Sequence, residues 1–389
     1  MEFRNIKFKD IGTIITGTTP STKNEQYYIS NDYMFVGPSD LKTSKYIKQT
    51  EKSISNEAYN KYSNRFIDKN SICVDCIGSD MGNVAITSDK CLTNQQINSI
   101  TEIDTNKFDY EYIYYILSTM KNYFHQIGQN GSTMPIINKS LFEDIEIQVP
   151  SIAIQRKIVS ILSKLDEKIE LNNQINNDLQ DYLKTIYKAS FQNKKNNSTL
   201  ADIADCCLGG TPSRAISKYW NGNINWINSG EVNKFRIIKA SEKITQDGLE
   251  HSSTKLLRKG TTVIAITGAT LGQVSRLEID SCANQSVVGI IPIDNKLNNY
   301  IYLNIFTNIN KIISNQTGGA QQHINKNDIK NYKIYKPNLE EIQEFNKNTL
   351  PVFNKISINC FENETLEQLR DTLLPKLMNG EIDLDKIDI

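Results

Sequence analysis

The stretch from Pro150 to Gln192 constrains this chain most, because it carries an apolar repeat of helical spacing along its whole length. It contains no glycine, and its single proline stands at the start, where a helix tolerates proline. A helix of about 40 residues is roughly 60 Å long. Alone it would leave an apolar stripe in water, so a partner helix is predicted. The stripe consists of Ile158, Leu162, Leu165, Ile169, Ile175, Leu179, Tyr182 and Ile186.

The stretch from Pro337 to Met378 has the same character and is the predicted partner. Pro351 predicts a kink in it, because proline removes one helical hydrogen bond. Residues 151–199 hold 8 basic and 5 acidic residues, and residues 337–389 hold 5 basic and 11 acidic ones, so the two stretches should attract weakly. The apolar positions of the partner are Ile342, Phe345, Val352, Phe353, Ile356, Leu366, Leu369, Leu373 and Leu377.

The chain contains an internal repeat. Residues 9–22, KDIGTIITGTTPST, align with residues 201–214, ADIADCCLGGTPSR, and ordered matches continue to Pro150 and Pro337. The offset falls only from 192 to 187 over the whole repeat, which makes chance a poor explanation. Each copy ends in its long helix, so the predicted order is domain, helix, domain, helix. Further matches are Ile77-Gly78 with Thr267-Gly268, Met81-Gly82 with Leu271-Gly272, and Asn94-Gln95 with Asn284-Gln285.

Each copy is predicted to be a mixed α+β domain. Ser71–Ile77 and Thr261–Thr267 are β-rich and bounded by turn residues, whereas Tyr110–Tyr123 and Asn299–Ile313 have helical spacing. Gly-Thr-Thr-Pro and Gly-Gly-Thr-Pro are interpreted as tight turns. The predicted segments are residues 1–150 for the first domain, 151–196 for the central helix, 197–337 for the second domain and 338–389 for the C-terminal helix.

No pattern for catalysis or metal binding emerges from the residues. Cys73 and Cys76 form a C-x-x-C, but the second copy has Val263 and Ile266 there, so the thiols are interpreted as small hydrophobic residues in a strand. His125, His251 and His323 are isolated from ligand-spaced partners, and Asp166, Glu167 and Lys168 are interpreted as a solvated helix face. The sequence contains no Walker A motif, no G-x-G-x-x-G motif and no Pro-Pro pair.

Composition indicates a soluble globular protein of about two domains, with 389 residues, 39% of them hydrophobic. A formal net charge of zero argues against a strongly electrostatic nucleic-acid binder. The seven cysteines do not suggest a disulfide framework. Because no apolar stretch is long enough for a membrane span and the start of the chain is polar and mixed, a cytoplasmic location without membrane attachment is expected.

The half-chain repeat, the G-[TG]-T-P opening and the passage Q-x-G-x-x-x-x-x-I-N-K before each helix resemble the specificity subunit of type I restriction-modification enzymes. The most specific signal is the ending LRDTLLPKLMNGEI, from Leu369 to Ile382. The resemblance covers the whole chain. It implies two repeated target-recognition domains, separated by two long helices that form an antiparallel coiled coil with pseudo-twofold symmetry.

In that family, each domain reads one half of a bipartite, asymmetric DNA site. The helices set the spacing and dock two modification subunits, which use S-adenosylmethionine to methylate adenine. Restriction subunits that use ATP and Mg²⁺ complete the enzyme. The resemblance therefore implies double-stranded DNA and these subunits as partners, no cofactor in this chain, and no catalytic or metal-binding residue. The predicted positions for helix pairing and partner docking are Ile158, Leu162, Leu165, Ile169, Ile175, Leu179, Ile186, Ile342, Phe345, Ile356, Leu366, Leu369 and Leu373. Tyr182, Val352, Phe353 and Leu377 of the stripes are not among them.

Base reading needs side chains with paired donors and acceptors, such as Arg or Lys for guanine and Asn or Gln for adenine. Both domains carry such residues on turn-rich stretches, and the first domain, with 15 basic and 18 acidic residues, should bind phosphate weakly. The predicted DNA contacts are Lys23, Asn24, Lys42, Lys45, Asp80, Asn83, Arg214, Lys218, Lys234, Arg236, Gln273, Gln321, Gln322 and His323.

Two other classes of protein fit the same residues. A paired-domain scaffold that binds only proteins would not be retained on duplex DNA in a salt-dependent way. A fused enzyme with an unrecognised active site would transfer methyl groups without partner subunits.

Overall fold

The computed structural model describes residues 2–42, 44–129, 134–314 and 324–384. It divides into two compact units. The first unit comprises Met1–Asp166 and Glu367–Ile389, and the second comprises Glu167–Leu366. Each unit therefore holds one domain of the repeat with a segment of both long helices, and the four-segment division derived from the sequence stays a prediction.

The first domain is built on two main sheets. In the order in which the strands pair, the five-stranded sheet consists of Thr13–Thr16, Ile97–Thr101, Ile72–Asp75, Val84–Thr87 and Tyr46–Ile47. The four-stranded sheet consists of Lys52–Ile54, Tyr33–Val36, Cys91–Thr93 and Phe66–Ile67. Arg4–Lys7 and Glu146–Val149 form a separate antiparallel pair. The α-helices of the domain are Asn56–Tyr62, Tyr110–Ser118, Lys121–Gly128 and Lys139–Glu143.

The second domain repeats this topology. Its four-stranded sheet has the order Ala204–Leu208, Val287–Pro292, Thr262–Ala265 and Val274–Arg276. Its three-stranded sheet has the order Glu242–Ile244, Trp220–Ile227 and Cys282–Ala283. Ser198–Thr199 pairs with Lys333–Ile334. The α-helices are Gln246–Glu250, Asn298–Ser314 and Lys326–Lys330.

Two short strands of the first domain correspond to single β-bridges in the described part of the second domain. Ile237 pairs in parallel with Leu277, and Leu257 pairs antiparallel with Ser281. In the first domain the same places hold the short strands Tyr46–Ile47 and Phe66–Ile67, with the same parallel and antiparallel pairing. The repeat seen in the sequence is therefore a repeat of strand order and direction.

Cys73 and Cys76 lie in or next to a buried strand, where the repeat places Val263 and Ile266. Burial raises the pKa of each thiol to about 12. A thiol with such a pKa is protonated at neutral pH and packs as a small apolar group. Both cysteines thus belong to the core of the first domain.

The long helices run from Ile152 to Phe191 and from Leu339 to Met378, and the second helix is continuous through Pro351. In the first unit their buried seam is apolar, with Ile158 and Leu162 in one cluster with Leu377. Asp166 was predicted to be solvated, but only 16% of its side chain is exposed, and it accepts a hydrogen bond of 2.9 Å from Arg370. The interpretation of Asp166 as part of a solvated face is therefore wrong.

In the second unit part of the seam between the two helices is polar, and this part is called the amide seam here. Asn172, Asn176, Asn359 and Asn363 are buried there, and so is Gln180. The Nδ2 of Asn172 donates to Oδ1 of Asn363 at 2.8 Å, and the Nδ2 of Asn359 donates to Oδ1 of Asn176 at 2.9 Å. The two helices are therefore antiparallel here, because the residue number rises along one helix from pair to pair and falls along the other.

The structure corrects the predicted stripe at several positions. Tyr182 and Leu369 are exposed rather than paired, at 53% and 45% of their surface. Several other stripe residues are only half-buried, and in the second unit amides occupy positions of the seam beside them. The half-buried residues are Leu165, Ile169, Ile175, Leu179, Ile186, Leu366 and Leu373, whereas Ile158, Leu162, Ile342, Phe345 and Ile356 are buried as predicted.

Each domain packs its helical layer against both long helices of its own unit. In the first unit, Tyr112 and Ile113 join Ile158 and Leu162 in one apolar cluster. In the second unit, Tyr300 and the neighbouring turn of its helix pack against Leu183, Tyr187 and Phe345. Burial of a large side chain contributes about 1.5–3 kcal/mol, so each domain is firmly attached to its helix segments. Among the described residues, none of the helices is both long and apolar enough to cross a membrane.

Candidate nucleic-acid interface

Three loop segments meet at one end of the main sheet in each domain. The strands that these segments join or follow pair antiparallel, so the end of one strand lies beside the start of the next. In the first domain these segments are residues 17–20, 76–83 and 94–96, here called the first loop edge. The N–H of Thr18 donates to the carbonyl of Thr93 at 2.8 Å, and that of Cys76 donates to Gln96 at 2.8 Å.

The second domain has the same arrangement in residues 209–212, 266–273 and 284–286, the second loop edge. The N–H of Gly210 donates to the carbonyl of Ala283 at 2.8 Å, and that of Ile266 donates to Ser286 at 2.9 Å. These bonds are the counterparts of those in the first domain. The two domains thus present one backbone scaffold twice.

The G-[TG]-T-P motifs belong to these edges, but they are not tight turns. Both are extended segments that cross close to a neighbouring turn. A Cβ at Gly17 would lie 2.2 Å from the carbonyl oxygen of Asn94, and a Cβ at Gly209 would lie 2.2 Å from that of Asn284. Glycine is therefore required by close approach, and the turn predicted from the sequence is corrected to a crossing.

The glycine-rich loops at the centre of the edges also match in backbone. Gly78 and Gly82 have φ of 111° and 90°, and Gly268 and Gly272 have φ of 65° and 81°. Such positive values favour glycine. The side chains carried by the matching loops differ, with Asp80 and Asn83 in the first domain against Thr270 and Gln273 in the second. The scaffold is shared, but the chemical groups that it displays are not.

A charged cluster lies on the first loop edge. Lys42 and Lys121 both contact the carboxylate of Asp80, at 2.6 and 2.7 Å, and Lys121 also donates to Oδ1 of Asn83 at 3.0 Å. Hydrogen bonds from Lys121 and Lys42 lower the pKa of Asp80 to about 2. Two lysines share the carboxylate of Asp80, so these three side chains carry one net positive charge that suits a phosphate, although the buried Asp75 near Lys42 offsets part of it. Lys121 was missed by sequence reasoning because it lies on a helix, far along the chain from the loop.

The other predicted contacts of the first domain differ in how available they are. Lys23 is exposed next to the first loop edge. Asn24 uses its side-chain oxygen to accept the N–H of Gln26 at 3.3 Å and so caps a short 3-10 helix. The amide of Asn24 is thus already engaged in local structure.

In the second domain, Arg214 follows the loop edge and stacks on Trp220, with its guanidinium carbon 3.6 Å from the ring centre. Its Nη2 also contacts Glu242 at 2.8 Å. Lys218 pairs with Asp247 at 2.7 Å, Lys234 lies 3.4 Å from Glu231, and Gln273 is exposed on the glycine-rich loop. Of this group, Arg214 and Gln273 lie on or beside the loop edge. Gln321, Gln322 and His323 lie outside the described residues.

Two predicted DNA contacts are enclosed by other side chains of their unit, and the structure corrects them. Lys45 is 11% exposed and lies between Glu111 and Asp166, at 2.7 and 3.5 Å. Arg236 is 4% exposed and donates to Oε1 of Gln180 at 2.7 Å. Both cations connect a domain to the first long helix, so neither is available to touch DNA.

Sequence reasoning also missed a pair of glutamines. Gln95 and Gln285 are exposed on the matching turns of the two edges. The hydroxyl of Thr19 donates to Oε1 of Gln95, and the hydroxyl of Thr211 donates to Oε1 of Gln285 at 2.5 Å. The signal was present, since the Asn-Gln pair recurs in both copies, but it was interpreted only as evidence for the repeat.

Two repeated α+β domains, each with a loop edge of shared backbone and different side chains, define a paired-domain recognition protein. The family model for the type I restriction modification DNA specificity domain matches residues 1–181 and again residues 192–369. The chain belongs to this family and carries its domain twice. The sequence-based assignment to type I DNA specificity subunits, with two target-recognition domains, is thereby confirmed.

Individual proteins agree with this assignment. The MjaIX specificity subunit of Methanocaldococcus jannaschii is 27% identical, over 98% of this chain and 94% of that protein. The EcoR124I/EcoR124II specificity subunit of Escherichia coli is 28% identical over 63% of each chain. The crystal structure of the type I S subunit from M. genitalium aligns over 97% of this chain and 96% of its own, with a TM-score of 0.59 and 16% identity. The last likeness concerns the fold, and the predicted fold class is confirmed.

Proposed function

We propose that this chain is the DNA-recognition subunit of a type I restriction-modification enzyme, in which each loop edge reads one half of a bipartite, asymmetric site. The observation that carries the proposal is the pair of loop edges, which share their backbone hydrogen bonds and differ in side chains. A shared scaffold allows both domains to approach the duplex in the same way. Different side chains then read different bases.

The two domains differ in net charge and so in their expected affinity for the phosphates of DNA. Residues 200–336 hold 16 basic and 10 acidic residues, whereas residues 1–150 hold 15 basic and 18 acidic ones. Contacts to phosphate supply most of the non-specific affinity for DNA. The second domain should therefore contribute more of that affinity, and the first should rely on Lys42, Lys121 and surfaces of partner subunits.

The long helices are proposed to set the spacing between half-sites and to dock two modification subunits. Several large apolar side chains of the second unit are exposed on them. Leu171 and Tyr182 are three helical turns apart on the first helix, and Ile358 and Phe361 are three residues apart on the second, so each pair shares a face. Exposed apolar side chains on a helix pair are the usual material of a subunit interface.

The chemistry is proposed to belong to the partner subunits. By family resemblance, the modification subunits bind S-adenosylmethionine, and the restriction subunits bind ATP and Mg²⁺. This chain then needs no cofactor of its own and acts as a non-catalytic subunit. Its contribution to the reaction is to place the modification subunits on a defined DNA sequence.

Adenine methylation mapping tests the proposal. The chain is expressed with a type I modification subunit in a host without adenine methylation, and the genome is sequenced for methylated adenines. We expect one asymmetric site with two half-sites at a fixed separation. A host that carries the modification subunit alone is the control. Methylation without a bipartite site, or identical methylation in the control, would contradict the proposal.

A gel-shift titration at physiological salt adds a second test. The formal net charge of the chain is zero, so few counterions are released when it binds DNA alone. We expect weak binding by the isolated chain and tight binding by its complex with modification subunits. Nanomolar, sequence-specific binding by the isolated chain would show that partner surfaces are not needed.

A further inference from the structure

The two loop edges have an exposed side chain with base-reading chemistry in common. Gln95 and Gln285 lie on turns that match residue for residue in backbone hydrogen bonds. The Oδ1 of Asn94 accepts the N–H of Gln96 at 2.7 Å, and that of Asn284 accepts the N–H of Ser286 at 3.0 Å. Several other positions of the edges are not shared. The residues that differ are Thr18 and Gly210, Asp80 and Thr270, Asn83 and Gln273, and Gln96 and Ser286.

Each glutamine is held by a second shared residue. The hydroxyls of Thr19 and Thr211 donate to the Oε1 atoms of Gln95 and Gln285. A carbonyl oxygen has two lone pairs, so this bond leaves one acceptor position and both Nε2 hydrogens for a ligand. A glutamine already held in one orientation loses less conformational entropy when it binds.

The amide of glutamine fits adenine in the major groove. Its oxygen accepts from N6 and its nitrogen donates to N7, which forms a bidentate pair. A side chain present in both domains cannot distinguish one half-site from the other. It can read a base that both half-sites contain.

We propose that Gln95 and Gln285 each contact an adenine at the equivalent position of the two half-sites, and that Thr19 and Thr211 orient them. The inference rests on the proposed function, since it requires that each loop edge faces one half-site. It divides each edge into two parts. The Thr-Gln pair reads the common adenine, and the side chains that differ read the remaining bases.

Substitution followed by methylation mapping tests this assignment in the complex with modification subunits. Gln95→Ala should relax the first half-site at one adenine, with discrimination there reduced by about 5- to 150-fold, and leave the second half-site unchanged. Gln285→Ala should do the reverse. The matched control is Gln49→Ala, an exposed glutamine of the first domain outside the loop edge, which should leave both half-sites unchanged.

A gain of specificity provides the second measurement. Gln95→Arg places a guanidinium that pairs with O6 and N7 of guanine, so the single relaxed position should shift towards guanine. Thermal melting of each variant checks that the fold is intact. If Gln95→Ala weakens methylation equally at every sequence, the glutamine contacts the backbone and the inference is wrong.

The two proposals fail in different ways. If the wild-type complex methylates no bipartite site, the proposed function itself fails. If the wild-type complex methylates such a site and Gln95→Ala retains full discrimination at every position, only the assignment of the glutamine is overturned.

Discussion

Both units fix their domain to the first long helix with a buried cation that lies on a tyrosine, but they neutralise that cation differently. In the first unit, Lys45 lies 4.2 Å from the ring centre of Tyr115 and donates to its hydroxyl at 2.8 Å. In the second unit, Arg236 lies 4.7 Å from the ring of Tyr302 and donates to its hydroxyl at 2.8 Å. The two cations are 191 residues apart and perform the same task.

The surroundings of the two cations differ in charge. Lys45 and Arg370 face two carboxylates, Glu111 and Asp166. Burial raises the pKa of Tyr115 above its usual range, and the carboxylate of Asp166 raises it further, so this phenol remains a donor. The charges named in this group cancel, which limits the cost of their burial.

In the second unit, Arg236 and Arg276 share one carboxylate, that of Glu278, and the acceptor on the long helix is the neutral amide of Gln180. The Nε atoms of both arginines are buried without a hydrogen-bond partner. A planar guanidinium offers five donors, so it can bind carbonyl and phenol groups at the same time. A lysine has only three donors and can bind fewer such groups. Lys45 and Arg236 thus attach a domain to the first long helix in the same way, although the groups around them differ. The charges around Arg236 are less well balanced than those around Lys45.

Removal of the shared carboxylate should have the largest effect. The Glu278 side chain is 1% exposed, and Glu278→Gln leaves two buried arginines without a counter-charge. We expect the free energy of unfolding of the second unit to fall by about 3–5 kcal/mol, measured by urea denaturation. Glu250→Gln, on the surface of the same domain, should change it by less than about 0.5 kcal/mol. A small effect of Glu278→Gln would mean that the two anchors do not differ in charge balance.

Removal of the cation in the first unit should cost less than removal of the carboxylate in the second. After Lys45→Met, Glu111 still accepts from the Tyr46 hydroxyl and Asp166 still accepts from Arg370. We expect a loss of about 1–3 kcal/mol, measured in the same denaturation experiment. The exposed Lys69→Met is the control. A loss as large as that of Glu278→Gln would erase the distinction between the units.

The helix seams extend the comparison, because the first unit has an apolar seam and the second an amide seam. Asn359→Leu removes the donor that serves Oδ1 of Asn176 and should cost about 1–2 kcal/mol. The double variant Asn176→Leu with Asn359→Leu should recover most of that loss, since no amide is left alone. A double-mutant cycle measures the coupling. Strict additivity of the two losses would show that the amides do not stabilise each other.

The smallest effect is expected where the first unit receives a residue of the second. Cys73→Val introduces the side chain of Val263 at the matching strand position and should change stability by less than about 1 kcal/mol. In the wild-type chain, burial raises the pKa of Cys73 to about 12, so little thiolate exists at pH 8. Alkylation of Cys73 should therefore be slow in the folded chain and fast in urea. Fast alkylation in the folded state would show that the strand opens readily.

Much of the architecture could be predicted from the sequence because it depends on local spacing. The long helices, the short helices near Tyr110 and Asn298, and the core strands with Cys73 and Val263 all follow from periodicity and from the repeat. The equivalence of the two copies also identified both cysteines as core residues. These features need no knowledge of distant contacts.

The features that escaped prediction depend on residues far apart in the chain. Lys45 was interpreted as an exposed cation because Tyr115 and Asp166, which surround it, lie 70 and 121 positions later. The amide seam could not be predicted because Asn172 is polar, and its burial depends on contacts with Glu362 and Asn363 on the other long helix. Gln95 was interpreted only as a match of the repeat, because its hydrogen bond from Thr19, 76 positions earlier, cannot be predicted from spacing.

The amide seam makes the pairing of the long helices discrete. If one helix slid past the other by one turn, about 5.4 Å, both asparagine pairs would be broken, and at least one of the four asparagines would be left buried without an amide partner. Each orphaned amide costs about 1–3 kcal/mol, and intermediate positions would leave all of them unpaired. The two long helices therefore have only a few favourable registers, and thermal motion cannot shift one helix gradually along the other. Insertions that lengthen this helix pair during evolution should therefore add whole helical turns to both helices and should include new asparagine or glutamine pairs.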